Sequence, residues 1–145
     1  PKLFGLDTVN PKDKVYLFEG PIDSMFIPNA MAMAGADAYS AFGKLRFRIP
    51  EIVYVYDNEP RNKQIVARMN QTVKEGHQIC VWPSTMADYK DINDMVLGGL
   101  SPVTIKFIID SNTYSGLAAS LAINAWRKDD QEAAPSKKGK THAAA

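Results

Sequence analysis

Short apolar runs rich in β-branched and aromatic residues recur along this chain, with helix-period segments between them. The runs are residues 14–18, Ala30–Ala34, Ile52–Tyr56, Gln78–Trp82 and Thr104–Ile109, and Gly, Pro, Asn or Asp punctuates the chain around them. Their length and boundaries read as buried strands. Asp37 opens a predicted helix over 37–48 that carries Tyr39, Phe42 and Leu45 on one face. The helix expected over 61–74 sets Ile65, Val66, Met69 and Val73 on one stripe and stops at Gly76. Shorter helical turns are expected after Pro21 and over 91–97, before Gly98-Gly99. Leu117–Trp126 reads as a last helix with Leu117, Leu121, Ala122 and Ala125 inward and Trp126 exposed. Strands alternating with helices build βαβ units. The predicted class is therefore α/β, a mainly parallel sheet with helices on both faces.

Composition narrows the function classes. A length of 145 residues suffices for one domain with a real core, and 46% hydrophobic with 23% charged residues is ordinary for a globular chain. No apolar stretch is long enough to span a membrane, and no secretory leader is evident. Cys80 is the single cysteine, and with only His77 and His142 beside it a structural zinc site is excluded. It reads as a small buried hydrophobe in a reducing cytoplasm. Residues 1–130 carry 14 Lys+Arg against 15 Asp+Glu, and Lys137, Lys138 and Lys140 then outweigh Glu132. Net charge thus says little about nucleic acid, and local placement has to carry that question. Pro1 is not an initiator residue, so the chain reads as a piece of a longer polypeptide.

Three acidic signals lie just beyond the apolar runs. Glu19 ends Val15-Tyr16-Leu17-Phe18-Glu19-Gly20, Asp57 and Glu59 follow Val53-Tyr54-Val55-Tyr56, and Asp91 sits in Lys90-Asp91-Ile92-Asn93-Asp94. Ligands of parallel sheets bind at the carboxyl ends of strands, so these carboxylates are expected on one edge. Grouped carboxylates repel one another and resist desolvation unless a divalent cation lies among them. The pattern points to metal-assisted phosphoryl chemistry, with Mg²⁺ the expected cation and Mn²⁺ its substitute. Gly20 leaves room for a phosphate to approach. Each signal also has a plainer reading. Glu19 suits a solvated loop, Asp57-x-Glu59 suits an Asx turn with Glu59 capping the next helix, and Asp91 suits a helix N-cap with a negative first turn.

In order, Glu19-Gly20-x-x-Asp23, a hydrophobic strand with Asp57-x-Glu59, and Lys90-Asp91-x-Asn93-Asp94 resemble the TOPRIM domain of primases, topoisomerases and related nucleases. The resemblance covers roughly residues 12–100. Ala32-Met33-Ala34-Gly35, Asp57-Asn58-Glu59-Pro60-Arg61-Asn62 and Lys90-Asp91-Ile92-Asn93-Asp94-Met95 make it most similar to the replicative DNA primases of tailed phages. It implies a Rossmann-like TOPRIM domain over 12–128 and a lead-in from an upstream domain over 1–11, while the Asp, Gln, Pro, Ser, Lys and Ala composition of 129–145 reads as a disordered tail. Glu19 would then assist proton transfer or bind metal, Asp57 and Glu59 would hold Mg²⁺, and Asp91 would be a further acid near the metals. Glu59 departs from the family's Asp-x-Asp pair, and Asn93 stands where bacterial primases often carry an Asp. The implied activity is nucleotidyl transfer: short RNA primers made from ribonucleoside triphosphates on a single-stranded DNA template. It implies a replicative helicase as partner and the host bacterial cytoplasm as its place. Two cations about 3.5–4 Å apart would lower the pKa of the attacking hydroxyl and neutralise the leaving oxygens. A piece without the family's zinc-binding template module is expected to bind metal yet synthesise little alone.

Phosphate contacts are sought among nearby cations. Lys44, Arg46 and Arg48 alternate before the central strand, Arg61 and Lys63 follow the acidic pair, and Lys90 precedes Asp91. For the first group a solvated face is the plainer reading. Two other functions share the pattern: a strand-cleaving TOPRIM nuclease or topoisomerase-like module, and a non-catalytic replisome-binding domain that uses the last helix and Trp126 as its anchor.

Overall fold

Four parallel strands form the centre of a six-stranded sheet in the computed structural model, which describes residues 3–33, 43 and 49–133. The strands are β1 (Leu3–Phe4), β2 (Val15–Phe18), β3 (Ala30–Met33), β4 (Ile52–Val55), β5 (Gln78–Cys80) and β6 (Thr113–Tyr114), in the order β1-β3-β2-β4-β5-β6. Pairing is parallel for β3-β2, β2-β4 and β4-β5, and antiparallel at the two short edges. The helix expected over 37–48, with Lys44, Arg46 and Arg48, lies outside the described residues except for Gly43, and the stretch 134–145 lies outside them too.

Side chains alternate strictly between the two faces, as a sheet covered on both sides requires. Val15, Leu17, Tyr54, Tyr56 and Ile79 point to one face, where they meet Ile65, Val66 and Met69 of α2 (Lys63–Lys74) and Ala119, Ile123 and Trp126 of the last helix. Tyr16, Phe18, Val53, Val55 and Cys80 point to the other, where two further helices supply Ile92, Met95, Ile105 and Ile109. Those helices are α3 (Ile92–Leu97) and α4 (Pro102–Ser111), and α1 (Pro21–Ser24) is a single turn after β2. The expected class is thus observed. No helix among the described residues is long and apolar enough to cross a membrane.

Four expectations need correction. Thr104–Ile109 is not a strand but the body of α4. Ser101 caps that helix by accepting from the Thr104 amide at 3.2 Å, Pro102 occupies its first turn, and these start signals outweigh the β-branched composition. The last helix, α5 (Gly116–Ala133), continues into the stretch expected as tail. Its buried face is also different: Ala119, Ile123 and Trp126 are inside, whereas Leu117 and Leu121 are 76% and 60% exposed. Trp126 decides that rotation, because its indole N–H reaches the Asn58 side-chain oxygen at 2.8 Å in the interior. It is therefore no surface anchor. On α2 the fourth buried position is Thr72, with Val73 partly covered, since the Thr72 hydroxyl bonds Tyr56 at 2.7 Å.

The helical assignment of Pro102–Ser111 separates residues that a strand would place together. Ile105 and Ile109 are fully buried and Phe107 is 71% exposed. Ile109→Ala is expected to cost about 2–5 kcal/mol in urea unfolding, against less than about 0.5 kcal/mol for Phe107→Ser. Equal losses at the two positions would contradict this packing.

Candidate metal centre

The register between β2 and β4 sets the first half of the site. Phe18 lies opposite Val55, so Glu19 and Asp57 leave the same edge of neighbouring parallel strands. After Glu19 the chain turns through Gly20 into α1, and this turn carries Asp23 inward to 8% exposure. One Asp23 oxygen accepts from the Asn93 amide at 3.0 Å, which fastens α1 to the start of α3. Asp91 is the N-cap of α3, and its side chain accepts from the Asp94 amide at 2.8 Å. Asp23, Asp57 and Asp91 each bring a carboxylate oxygen within 4.8 Å of the other two. Oxygens bound to one Mg²⁺ at about 2.1 Å lie roughly 3–4 Å apart, so a small closure of this triad suffices for a hard divalent cation.

A second device brings Asp91 beside Asp57. Asn58 is buried, and its side-chain amide donates to the carbonyls of Met86 at 2.8 Å and Tyr89 at 2.9 Å. Its backbone N–H donates to the Lys90 carbonyl at 2.6 Å. The loop before α3 is thereby tied to the end of β4, one residue from Asp57. Trp82 adds a bond from its indole N–H to the Tyr56 carbonyl at 2.9 Å.

The expected residues divide into those in the triad and those around it. Asp57 and Asp91 belong to it. Glu19 stands beside it, 2.9 Å from the Arg68 guanidinium. Glu59 turns aside: its carboxylate meets the Lys90 ammonium at 3.3 Å and accepts from the Asn62 amide at 2.9 Å. It does not cap α2, because Asn62 holds that position and accepts from Gln64 and Ile65. Asn93 contributes its backbone N–H. Gly20 has an ordinary φ of −108°, and a Cβ there would touch Asp23 Oδ2 at 3.4 Å, so the turn itself does not demand glycine. Arg61 pairs with Asp130 of α5 at 2.6 Å, and Lys63 lines a groove of about 690 Å³ with Asn70 and Arg127 between α2 and α5. Asp23 closes the Glu-Gly-x-x-Asp spacing but is not among the residues expected to hold metal. Its position three residues past the glycine is the signal that finds it. Nothing in the sequence singles out Asn58 or Arg68.

Charge in the site is unevenly balanced. Glu19 and Glu59 each have a cationic partner, and among the described residues the three aspartates between them have backbone amides at most. Burial, then the charges of Asp23, Glu19, Asp91 and Glu59, push the Asp57 carboxyl up to about 7. Asp23 is likewise raised, chiefly by burial and by Asp91, Asp94 and Glu19, against the lowering effect of the Asn93 amide. Full charges at this spacing repel by roughly 3 kcal/mol per pair at an effective dielectric constant of about 20. A divalent cation relieves that repulsion, and the donors are the hard oxygens such a cation prefers.

A Rossmann-like, mainly parallel α/β domain with converging aspartates at its carboxyl edge is thus the class that fold and site define. The chain is similar to the DNA primase of Enterobacteria phage T4, with 33% identity over 132 residues, covering 88% of this chain and 36% of that protein. It is therefore related in sequence to about a third of a phage DNA primase. No protein-family model matches the chain.

The raised Asp57 pKa gives stability a pH dependence of definite sign. Between the ordinary value of 3.8 and about 7 the folded protein holds a proton that the unfolded chain has released. This contribution is complete below about 4 and is lost as pH rises through about 7, at up to about 1.4 kcal/mol per unit. In EDTA, the stability difference between the wild type and Asp57→Asn is expected to grow from pH 5 to pH 8 in favour of the variant. Saturating Mn²⁺ at pH 7.5 is expected to raise the wild-type Tm and leave that of Asp57→Asn unchanged. A pH-independent difference in EDTA would place the Asp57 carboxyl in its ordinary range.

Proposed function

We propose that this chain is the TOPRIM catalytic domain of a phage-type DNA primase, which makes short RNA primers on single-stranded DNA by Mg²⁺-dependent nucleotidyl transfer. The observation that carries this reading is the convergence of Asp23, Asp57 and Asp91 within 4.8 Å, in a chain similar along 88% of its length to a phage DNA primase. Asp23, Asp57 and Asp91 would hold Mg²⁺, with Mn²⁺ able to replace it. The bound cation would supply charge neutralisation at the α-phosphate and at the departing pyrophosphate. Glu19, beside the triad, would accept the proton of the attacking 3′-hydroxyl, and Asp57 would be deprotonated once the cation is in place. Elements fixed by the buried core hold the three aspartates, so their orientation is set before the substrate arrives.

Template strand and ribonucleoside triphosphates are the substrates on this reading, and a replicative helicase is the expected partner. Lys90, adjoining the triad, and the groove bearing Lys63 and Arg127 suit phosphate contacts.

A chimera in which this chain replaces the matched segment of the phage T4 primase tests the assignment. With single-stranded DNA, labelled ribonucleotides and Mg²⁺, Asp57→Asn and Asp23→Asn are each expected to cut primer synthesis at least about a hundredfold, the scale of losing a catalytic metal ligand. Primer synthesis at the parental rate in either variant sinks the reading. Cleaved template in place of primers would favour the strand-cleaving alternative.

A further inference from the structure

Each carboxylate flanking the aspartates is matched to a cation, but the two cations are held differently. Lys90 extends from an exposed loop to Glu59. Arg68 comes from the middle of α2, and the turn that carries it is clamped. Thr72, buried at 5% exposure, donates its hydroxyl to the Arg68 carbonyl at 2.9 Å. With that proton committed, the same oxygen accepts from the Tyr56 hydroxyl at 2.7 Å, and Tyr56 directly precedes Asp57. The strand end bearing Asp57 and the helical turn bearing Arg68 are therefore tied to one another through Tyr56 and Thr72. Arg68 is the more exposed member of the pair: its side chain is 47% exposed and that of Glu19 is 18% exposed.

An acidic pocket of this kind attracts a metal ion but repels the polyphosphate that must follow it. A cation fixed beside the aspartates offsets that repulsion, and a guanidinium presents paired N–H donors that match phosphate oxygens. Building on the metal-dependent reading above, we infer that Arg68 is a phosphate-anchoring residue of this site, held in waiting by Glu19 and turned to the phosphates of a nucleoside triphosphate. Glu19 released from Arg68 is then free to face the reacting hydroxyl. Metal binding and phosphate binding consequently depend on Arg68 with opposite sign. Its positive charge opposes a divalent cation and favours a polyphosphate, whereas a purely structural role would support both.

The test uses the whole chain and two probes, Mn²⁺ alone by calorimetry and fluorescent ATP in excess Mg²⁺ by anisotropy. Arg68→Ala is expected to bind Mn²⁺ about two- to fivefold more tightly and ATP at least about tenfold more weakly, the scale of one charge-assisted pair. Arg68→Lys keeps the charge without the fork, so it should hold Mn²⁺ affinity at the wild-type value and lose only about threefold for ATP. Weaker binding of both probes in both variants would make the Arg68–Glu19 pair a scaffold and overturn the inference. Unchanged ATP affinity in either variant would overturn it as well. If Arg68→Ala does not fold, the lysine variant decides alone. Undiminished Mn²⁺ binding by Asp57→Asn would instead overturn the metal-centre reading, whatever the Arg68 variants do to ATP.

Discussion

One buried amide organises the functional end of this molecule. Asn58 uses its two side-chain protons on the Met86 and Tyr89 carbonyls, its oxygen on the Trp126 indole and its backbone N–H on the Lys90 carbonyl. It thereby joins the end of β4, the loop ahead of α3 and the last helix. Left unpaired, each of these polar groups would carry a desolvation cost of about 1–3 kcal/mol, so the arrangement tolerates little slack. Asp57 and Asp91 belong to segments that Asn58 stitches together. The rotation of α5, and with it the groove against α2, follows from the same contact through Trp126.

Electrostatics then sorts the acids into two kinds. Glu19 and Glu59 are compensated by Arg68 and Lys90, from a helix and from a loop. Asp23, Asp57 and Asp91 keep their mutual repulsion, and Asp57 responds by holding its proton up to about 7. Fully paired, these acids would form an ordinary surface network with little affinity for an ion. Without their amide contacts they would spread apart. The site lies between those limits: geometry is imposed by backbone hydrogen bonds and strand register, and charge is left over for a cation to neutralise.

The sheet was legible because continuous apolar, β-branched and aromatic runs agree with the punctuation around them, as at Ile52–Tyr56 and Gln78–Trp82. The edge on which Asp57 and Asp91 meet followed from the βαβ order alone. Legibility failed where a local preference met a tertiary contact or a cap. Thr104–Ile109 has strand composition, yet Ser101-Pro102 starts a helix there. Leu117 and Leu121 look like a buried stripe, but the indole of Trp126 needs an interior acceptor and turns the helix about it. Arg61 follows the acidic pair in sequence and still turns to Asp130, which is remote in sequence. Asp23 had its signal in the spacing after Gly20, whereas Asn58 and Arg68 acquire their roles only from partners that the fold supplies.

The two outer pairs differ in a way that bears on how such a site works. A lysine on an exposed loop keeps many rotamers, so its pairing with Glu59 is weak and readily exchanged. Arg68 is fixed at its root by the Thr72–Tyr56 contact, and its guanidinium meets Glu19. Entropy already spent in folding need not be spent again when a phosphate arrives. Glu19 is thereby coupled to the strand end that carries Asp57, and if substrate phosphates drew Arg68 away, as proposed, its carboxylate would become available to the chemistry only when substrate is present. On the proposed reading, that coupling delays the proton acceptor until the nucleotide is bound, and the triad needs no moving lid to achieve it.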